Sequence, residues 1–302
     1  MRSNSLKTLK NLTNPVTLQC AYCDRNGLSE FSKLLNLLSR YGFHGIELNL
    51  PDLKALPPRE LSSLLRTYDL SLTYIATGVY ARNRGLSLSA SDPELRQRSV
   101  EGCMENIRYA GDLGAGIIIG YLKNHPDPAS AAADPTLPAL YLQESLVQLD
   151  KFAKERNVPI LLEATNRYES CVANALADTC QIAMQATALS SGKGAAGRSM
   201  ISILPDTYHM NIEESHPLEA LGIYQSHYQN IHLSDNNRYF PGLGCLAFEA
   251  YFNKLNAIHY QGTFGIEGIL KNGIAEDLEV CVDYLIRMME TGARECEIGM
   301  LA

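Results

Sequence analysis

The sequence has no block of lysines and arginines. Its 26 Lys plus Arg are outnumbered by 33 Asp plus Glu, giving a net charge of −7, and nothing gathers cations into a stripe that would follow a phosphate backbone. Nucleic acid is therefore not an expected partner. A long apolar run is missing too: the longest, Leu113 to Leu122, is about half of what crosses a bilayer. Met1 to Pro15 carries Lys7 and Lys10 with no apolar block behind them, so neither a secretion leader nor a membrane partner is expected, and the expected compartment is the cytoplasm. Cys20 and Cys23 form a C-x-x-C, but no second one completes a zinc site, and the 8 cysteines are scattered. Reduced thiols are the expectation. Finally, no linker divides the chain, so residues 1–302 are read as one domain, somewhat longer than the roughly 250 residues of a (β/α)8 barrel.

What is present suits a folded enzyme, with 46% apolar and 20% charged residues, enough to bury a sizeable core. Short apolar, β-branched segments alternate with longer stretches of helical periodicity, the pattern of βαβ units and a parallel sheet. Eight strands are predicted: Val16 to Tyr22, Gly45 to Asn49, Ser71 to Thr77, Gly116 to Gly120, Val158 to Glu163, Ile201 to Asp206, Asn230 to Ser234 and Gly262 to Glu267. Between them, helices are predicted over Leu28 to Tyr41, Pro58 to Tyr68, Asp92 to Leu113, Pro138 to Arg156 and Ala275 to Glu290. Asp92-Pro93-Glu94 reads as a helix start. Pro126 to Thr136 and Ser190 to Arg198, rich in Ala, Pro, Gly and Ser, read as loops. An open doubly wound sheet would alternate in the same way. The polar residues favour a single, parallel, eight-stranded α/β TIM barrel, whose active site lies at the C-terminal ends of the strands.

Four of those ends carry metal-type side chains. Glu163 closes the fifth strand, Asp206 the sixth, His232 lies in the seventh and Glu267 closes the eighth, at intervals of 43, 26 and 35 residues. Neighbouring strands are about 4.8 Å apart, so four such groups are able to converge on one ion at the barrel mouth. A single acid at a strand end is more often a cap or an ion-pair partner. Here each follows a near-continuous apolar run, and a buried charge must be paired or coordinated. Three carboxylates and an imidazole suit one divalent ion such as Mn, Mg or Co. Glu169, His209 and Arg238 follow these positions by six, three and six residues, where contact with a substrate is expected.

The stretches Leu162-Glu163-Ala164-Thr165-Asn166-Arg167-Tyr168-Glu169, Pro205-Asp206-Thr207-Tyr208-His209-Met210 and Ile231-His232-Leu233-Ser234-Asp235-Asn236-Asn237-Arg238 resemble the xylose-isomerase-like sugar isomerase and epimerase superfamily. Pro241-Gly242-Leu243-Gly244, Gly42 to Glu47 and Ala110 to Ala115 extend the resemblance over almost the whole chain. Its ketose 3-epimerases, of the D-tagatose and D-psicose kind, are the nearest branch. The resemblance implies that Glu163, Asp206, His232 and Glu267 bind one Mn, Mg or Co ion. It also implies that Glu163 and Glu267 form the acid/base pair, while Glu169, His209 and Arg238 hydrogen-bond one end of a sugar. The departure is Ala164-Thr165, where the epimerases more often carry a bulkier, proline-containing stretch, and this leaves the choice of sugar open.

The chemistry these residues suit is proton transfer next to a carbonyl through a cis-enediolate, with stereochemistry inverted when a second carboxylate returns the proton from the far face. Aldose–ketose isomerisation needs the same residues, and dehydration of a cyclic polyol is a near rival. A phosphorylated sugar is allowed by the glycine-bearing loops with Gly242, Gly244, Gly268 and Lys271-Asn272-Gly273, although glycines in such loops are more often plain turns. The DNA-cutting branch of the superfamily is similar at Glu163, Asp206, His209, His232 and Glu267, but carries an Asp-x-His pair where this sequence has Tyr239-Phe240-Pro241-Gly242. A barrel that only binds sugar would leave the paired acids without a purpose. A homo-oligomer is compatible with the sequence.

Overall fold

The eight apolar segments become eight parallel strands in the computed structural model, which describes residues 7–22, 27–124, 136–191 and 199–299, with side chains as far as 289. They are β1 (Val16–Ala21), β2 (Gly45–Asn49), β3 (Ser71–Ala76), β4 (Gly116–Ile119), β5 (Ile160–Glu163), β6 (Ile201–Leu204), β7 (Asn230–Leu233) and β8 (Thr263–Ile266). Every residue of β4, β5 and β7 is buried, because helices cover one face and the barrel interior the other. Strand order runs β6-β5-β4-β3-β2-β1-β8-β7. The remaining seam is bridged by Asp206 and His232, where the His232 N–H donates to Pro205 O at 2.9 Å. Pro205 has no N–H to return, so β6 stops at Leu204 and the barrel is nearly, rather than fully, laddered shut.

Around it run α1 (Gly27–Tyr41), α2 (Pro58–Thr67), α3 (Gly78–Arg84), α4 (Pro93–Gly111), α5 (Leu137–Lys154), α6 (Leu176–Ser191), α7 (Thr207–Glu213), α8 (Pro217–Ile223), α9 (Phe248–Ala257) and α10 (Ile274–Gly299). Asp92 caps α4, its carboxylate accepting from Glu94 N at 2.9 Å and so satisfying one orphan donor of the first turn. Leu278, Cys281, Val282 and Leu285 of α10 are fully buried, the i, i+3, i+4, i+7 stripe of an amphipathic helix. Two expectations are corrected. The fifth strand starts at Ile160, since Pro159 cannot donate to the ladder. Ser190 and Ser191 are the end of α6 rather than loop, tied back by Lys154 Nζ at 3.1 and 3.2 Å. The rest of that predicted loop and Pro126 to Pro135 lie outside the described residues, as does Cys23. The cysteines with described side chains are free thiols, and no described helix is long and apolar enough to cross a membrane.

Side chains alternate between the two faces of a strand, so every second residue faces the barrel interior, which is apolar on one side and polar on the other. Ala76, Ile118, Leu161 and Leu204 from β3–β6 form a small apolar cluster with Tyr74. On the side of β1, β2 and β7 the interior is polar: Thr17 Oγ1 donates to Glu47 Oε1 at 3.1 Å, and so does Asn230 Nδ2, also at 3.1 Å. Two residues on from Leu161 and Leu204, the same inward face presents Glu163 and Asp206. Strand spacing at the base depends on Gly45, where a Cβ would sit 2.1 Å from Ser71 O. Gly45→Ala is expected to lower stability by about 1–3 kcal/mol through overpacking against backbone, read as a reduced urea midpoint.

Candidate active site and metal centre

The four strand-end residues meet. Glu163, Asp206, His232 and Glu267 each offer one ligand atom, and these atoms lie within 4.8 Å of one another. His232 Nδ1 is 2.7 Å from Glu267 Oε2, 3.4 Å from Glu163 Oε1 and 3.8 Å from Asp206 Oδ2. The other ring nitrogen, Nε2, lies 2.7 Å from Glu47 Oε2. A carboxylate at that position fixes the proton on Nε2 and turns the Nδ1 lone pair toward the acidic group. Nδ1, Glu163 Oε1 and Glu267 Oε2 are all buried and all lack a hydrogen-bond partner, although Nδ1 and Oε2 are 2.7 Å apart. Three orphaned donors of electron pairs facing one point are what a divalent cation satisfies. Separations up to 4.8 Å match ligands about 2.0–2.6 Å from a shared ion. The residues fit such an ion, with oxygen and imidazole donors of the kind Mn, Mg or Co accept.

Local sequence explains the placement. Asp206 directly precedes α7 and caps it, Oδ1 accepting from Tyr208 N at 2.7 Å, so strand end and helix start are one feature. Gly120 at the end of β4 leaves room for the Glu163 carboxylate, which a Cβ would strike. Gly265 does the same on β8, where a Cβ would lie 2.6 Å from Glu47 Oε1 and 2.8 Å from His232 Cδ2. Lys123, fully buried, donates to Glu163 O at 2.6 Å and to Ala173 O at 2.9 Å. Burial pushes its ammonium down to about 7, against the opposing pull of Glu163 and Glu169. Ala173 sits at φ 56°, and the ammonium holds this strained loop to the end of β5.

Arg238 also has a left-handed backbone, φ 65°, and spans two carboxylates: Nη1 lies 2.7 Å from Asp206 Oδ2 and Nη2 lies 2.7 Å from Glu267 Oε1. Burial works against the charge on Glu267, but Arg238 and His232 outweigh it and hold its pKa well below the usual carboxylate range. For His232, burial opposes protonation, yet Glu47 first, then Glu163 and Glu267, raise its pKa well above that of a free imidazole. His209 accepts at Nδ1 from Asn166 N at 3.2 Å and lies 2.8 Å from Asn166 Nδ2, which directs Nε2–H toward the mouth, 3.9 Å from Glu163 Oε1. Glu169, His209 and Arg238 line one cavity of about 140 Å³ together with Glu163 and Glu267. Its size is below the roughly 300 Å³ of a drug-sized pocket. Two larger grooves, about 510 and 460 Å³, open at the opposite, N-terminal rim and hold none of these residues.

The sequence reading left Glu47, Lys123 and Asn166 without roles. Glu47 lies mid-strand in an apolar context, and only the three-dimensional register brings it under His232. The glycine-bearing loops that allowed a phosphate are already filled. Gly242 N and Gly244 N donate to Asp235 Oδ2 at 3.1 and 2.9 Å, and Leu246 N to Oδ1 at 2.9 Å. Lys271 N and Asn272 N are taken by Asp277. Both anion-shaped turns hold the protein's own carboxylates.

The chain matches the family described as Xylose isomerase-like TIM barrel over residues 35–284, and it belongs to that family. It is 26% identical over 274 residues to the D-psicose 3-epimerase of Enterocloster bolteae, covering 89% of this chain and 88% of that protein. With the 3-dehydro-D-guloside 4-epimerase of Escherichia coli it shares 34% over 184 residues, 60% of this chain and 64% of that one. A solved L-ribulose 3-epimerase has the same fold, with TM-score 0.77 at 21% identity over 94% of this chain and 97% of that one. These relatives are epimerases, enzymes of the isomerase class, so the resemblance read from the motifs is borne out.

Glu47→Gln keeps the shape and removes the charge under His232. The His232 imidazole is then expected to titrate lower than in the wild type, seen by NMR of the metal-free protein, and Mn²⁺ affinity to fall about 10–100-fold in chelator competition.

Proposed function

We propose that the chain is a divalent-metal-dependent sugar epimerase of the ketose 3-epimerase kind. The observation carrying this reading is the set of three orphaned, buried atoms on Glu163, His232 and Glu267, converging beside Asp206 at the mouth of a barrel. Support comes from relatives named as epimerases. A bound Mn, Mg or Co ion would stabilise charge developing on the substrate's carbonyl oxygen. Glu163 and Glu267 reach the site from β5 and β8, and we assign them the proton transfers. One, ionised, takes the proton from the carbon next to the carbonyl; the C–H electron pair forms the carbon–carbon double bond as the carbonyl π pair moves to oxygen, giving a cis-enediolate. The other, protonated, returns a proton to the same carbon from the opposite side, so the two exchange protonation states and the centre inverts. Glu169, His209 through its Nε2–H, and Arg238 hold oxygens at one end of the sugar.

A cavity of about 140 Å³ and a net charge of −7 suit a small polyol and oppose a nucleic-acid partner. With Asp235 and Asp277 occupying the glycine turns, an unphosphorylated sugar is the preferred substrate. We further read residues 1–302 as one barrel domain working in the cytoplasm, where the exposed thiols of Cys171 and Cys245 stay reduced.

Metal uptake needs a neutral Nδ1. Because His232 titrates above its free value, binding must expel a proton below that raised pKa, so affinity rises with pH there and levels off above it. Chelator competition from pH 6 to 9 is expected to show a slope approaching one log unit per pH unit at the acid end; affinity independent of pH would remove His232 from the ligand set. Glu163→Gln and Glu267→Gln are each expected to reduce turnover at least about 10³-fold while metal content stays near wild type. In deuterated water, the wild type acting on D-psicose, D-tagatose, D-fructose, L-ribulose and a 3-keto glycoside should place label on the inverted carbon. Label at no carbon of any of them would end the epimerase reading.

A further inference from the structure

Burial without a hydrogen-bond partner marks the metal-facing atoms of Glu163, His232 and Glu267, and among the residues lining the mouth cavity it marks one side chain that the proton transfer does not use. Thr165 is 4% exposed, its Oγ1 is buried with no hydrogen-bond partner, and it lines the same cavity as Glu163, Glu169, His209, Arg238 and Glu267. Ser234 Oγ, Asn106 Oδ1 and Asn230 Oδ1 are orphaned too, but none of these residues lines that cavity. Thr165 is therefore singled out by place as well as by want of a partner.

Its backbone is well fixed. Thr165 O accepts from Asn174 Nδ2 at 2.7 Å, and the next residue, Asn166, is anchored through its N–H to His209 Nδ1 at 3.2 Å. The side chain stands two residues beyond Glu163, on a segment pinned from below by Lys123. A valine of the same shape would fill this position without leaving a polar atom unpaired. Keeping a hydroxyl there costs stability unless something that enters the mouth bonds to it.

We infer that Thr165 is a specificity-determining residue whose hydroxyl hydrogen-bonds an oxygen of the sugar held between Glu163 and Glu267. The inference rests on the epimerase reading above and extends it. A hydroxyl both donates and accepts, so it selects a polyol that carries an oxygen at that point and discriminates against one without it. A site built to bond a substrate hydroxyl rejects partners lacking it more strongly than an apolar wall does.

Thr165→Val and Thr165→Ser, loaded with Mn²⁺, would be compared with the wild type on D-psicose, D-tagatose, D-fructose, L-ribulose and a 3-keto glycoside, and by thermal melting. For the substrate the wild type turns over fastest, Thr165→Val is expected to lower kcat/KM about 10–100-fold. Its Tm should stay level or rise, because an unpaired polar atom is removed. Thr165→Ser should return to within about threefold of wild type. A valine variant with wild-type kcat/KM sinks the inference while the epimerase reading stands. A valine variant whose Tm falls together with its activity also sinks it, showing a structural hydroxyl. A wild type inactive on the whole panel removes both.

Discussion

Burying three carboxylates within a few ångströms of one another is the constraint around which this barrel is built. Left alone, the carboxylates of Glu163, Asp206 and Glu267 would repel one another. Two groups oppose that: Arg238, whose guanidinium reaches Asp206 and Glu267 at 2.7 Å each, and the His232 imidazole, whose pKa Glu47 raises well above that of a free imidazole. Neither satisfies the inner atoms Glu163 Oε1 and Glu267 Oε2. The protein therefore carries a site whose polar groups are positioned but not paired, and the stability this forfeits must come from the apolar packing between strands and helices.

The rest of the molecule is arranged to hold that cluster still. Asp206 is at once a strand-end acid and the cap of α7. His232 closes the seam between β6 and β7 with its backbone while its ring faces the cluster. Glu163 is tied from behind by Lys123 through its carbonyl, leaving its carboxylate uncommitted. The two glycines Gly120 and Gly265 make room at β4 and β8 for the Glu163 and Glu47–His232 groups. Single residues thus do double duty, and rigid strand ends rather than loops set the distances, as proton transfer to and from one carbon requires.

Much of this could be read in the sequence, and what could not has physical reasons. The strands were visible because most of their residues are buried, so each is a short apolar run, and the fifth, sixth and eighth end in an acid; seven of the eight begin within one residue of the observed start. The four converging residues followed from counting strands, since the ends of the fifth to eighth strands are neighbours around a closed barrel. Glu47 was hidden because its role depends on register across β1, β2 and β7, which no local pattern encodes. Lys123 was hidden because a lysine after an apolar run reads as an exposed end, whereas here it is swallowed and bonded to two carbonyls. The glycine-bearing loops left a phosphate open, since local sequence shows the turn but not that Asp235 and Asp277 already accept its N–H groups.

That last point shapes the mouth as well. Asp235, 1% exposed, gathers four N–H groups of the loop after β7, from Asn236, Gly242, Gly244 and Leu246. Arg238 N donates to Asp235 O at 2.9 Å, and Arg238 O accepts from Ile269 N at 2.8 Å, tying this loop to the one after β8. The bonded frame is what keeps Arg238 in its left-handed conformation, and that conformation sends its guanidinium back over Asp206 and Glu267. An anion-binding turn filled from within has become a brace. The positive charge it would have lent to a phosphate is carried instead by one arginine, placed where charge on the barrel's own carboxylates has to be balanced.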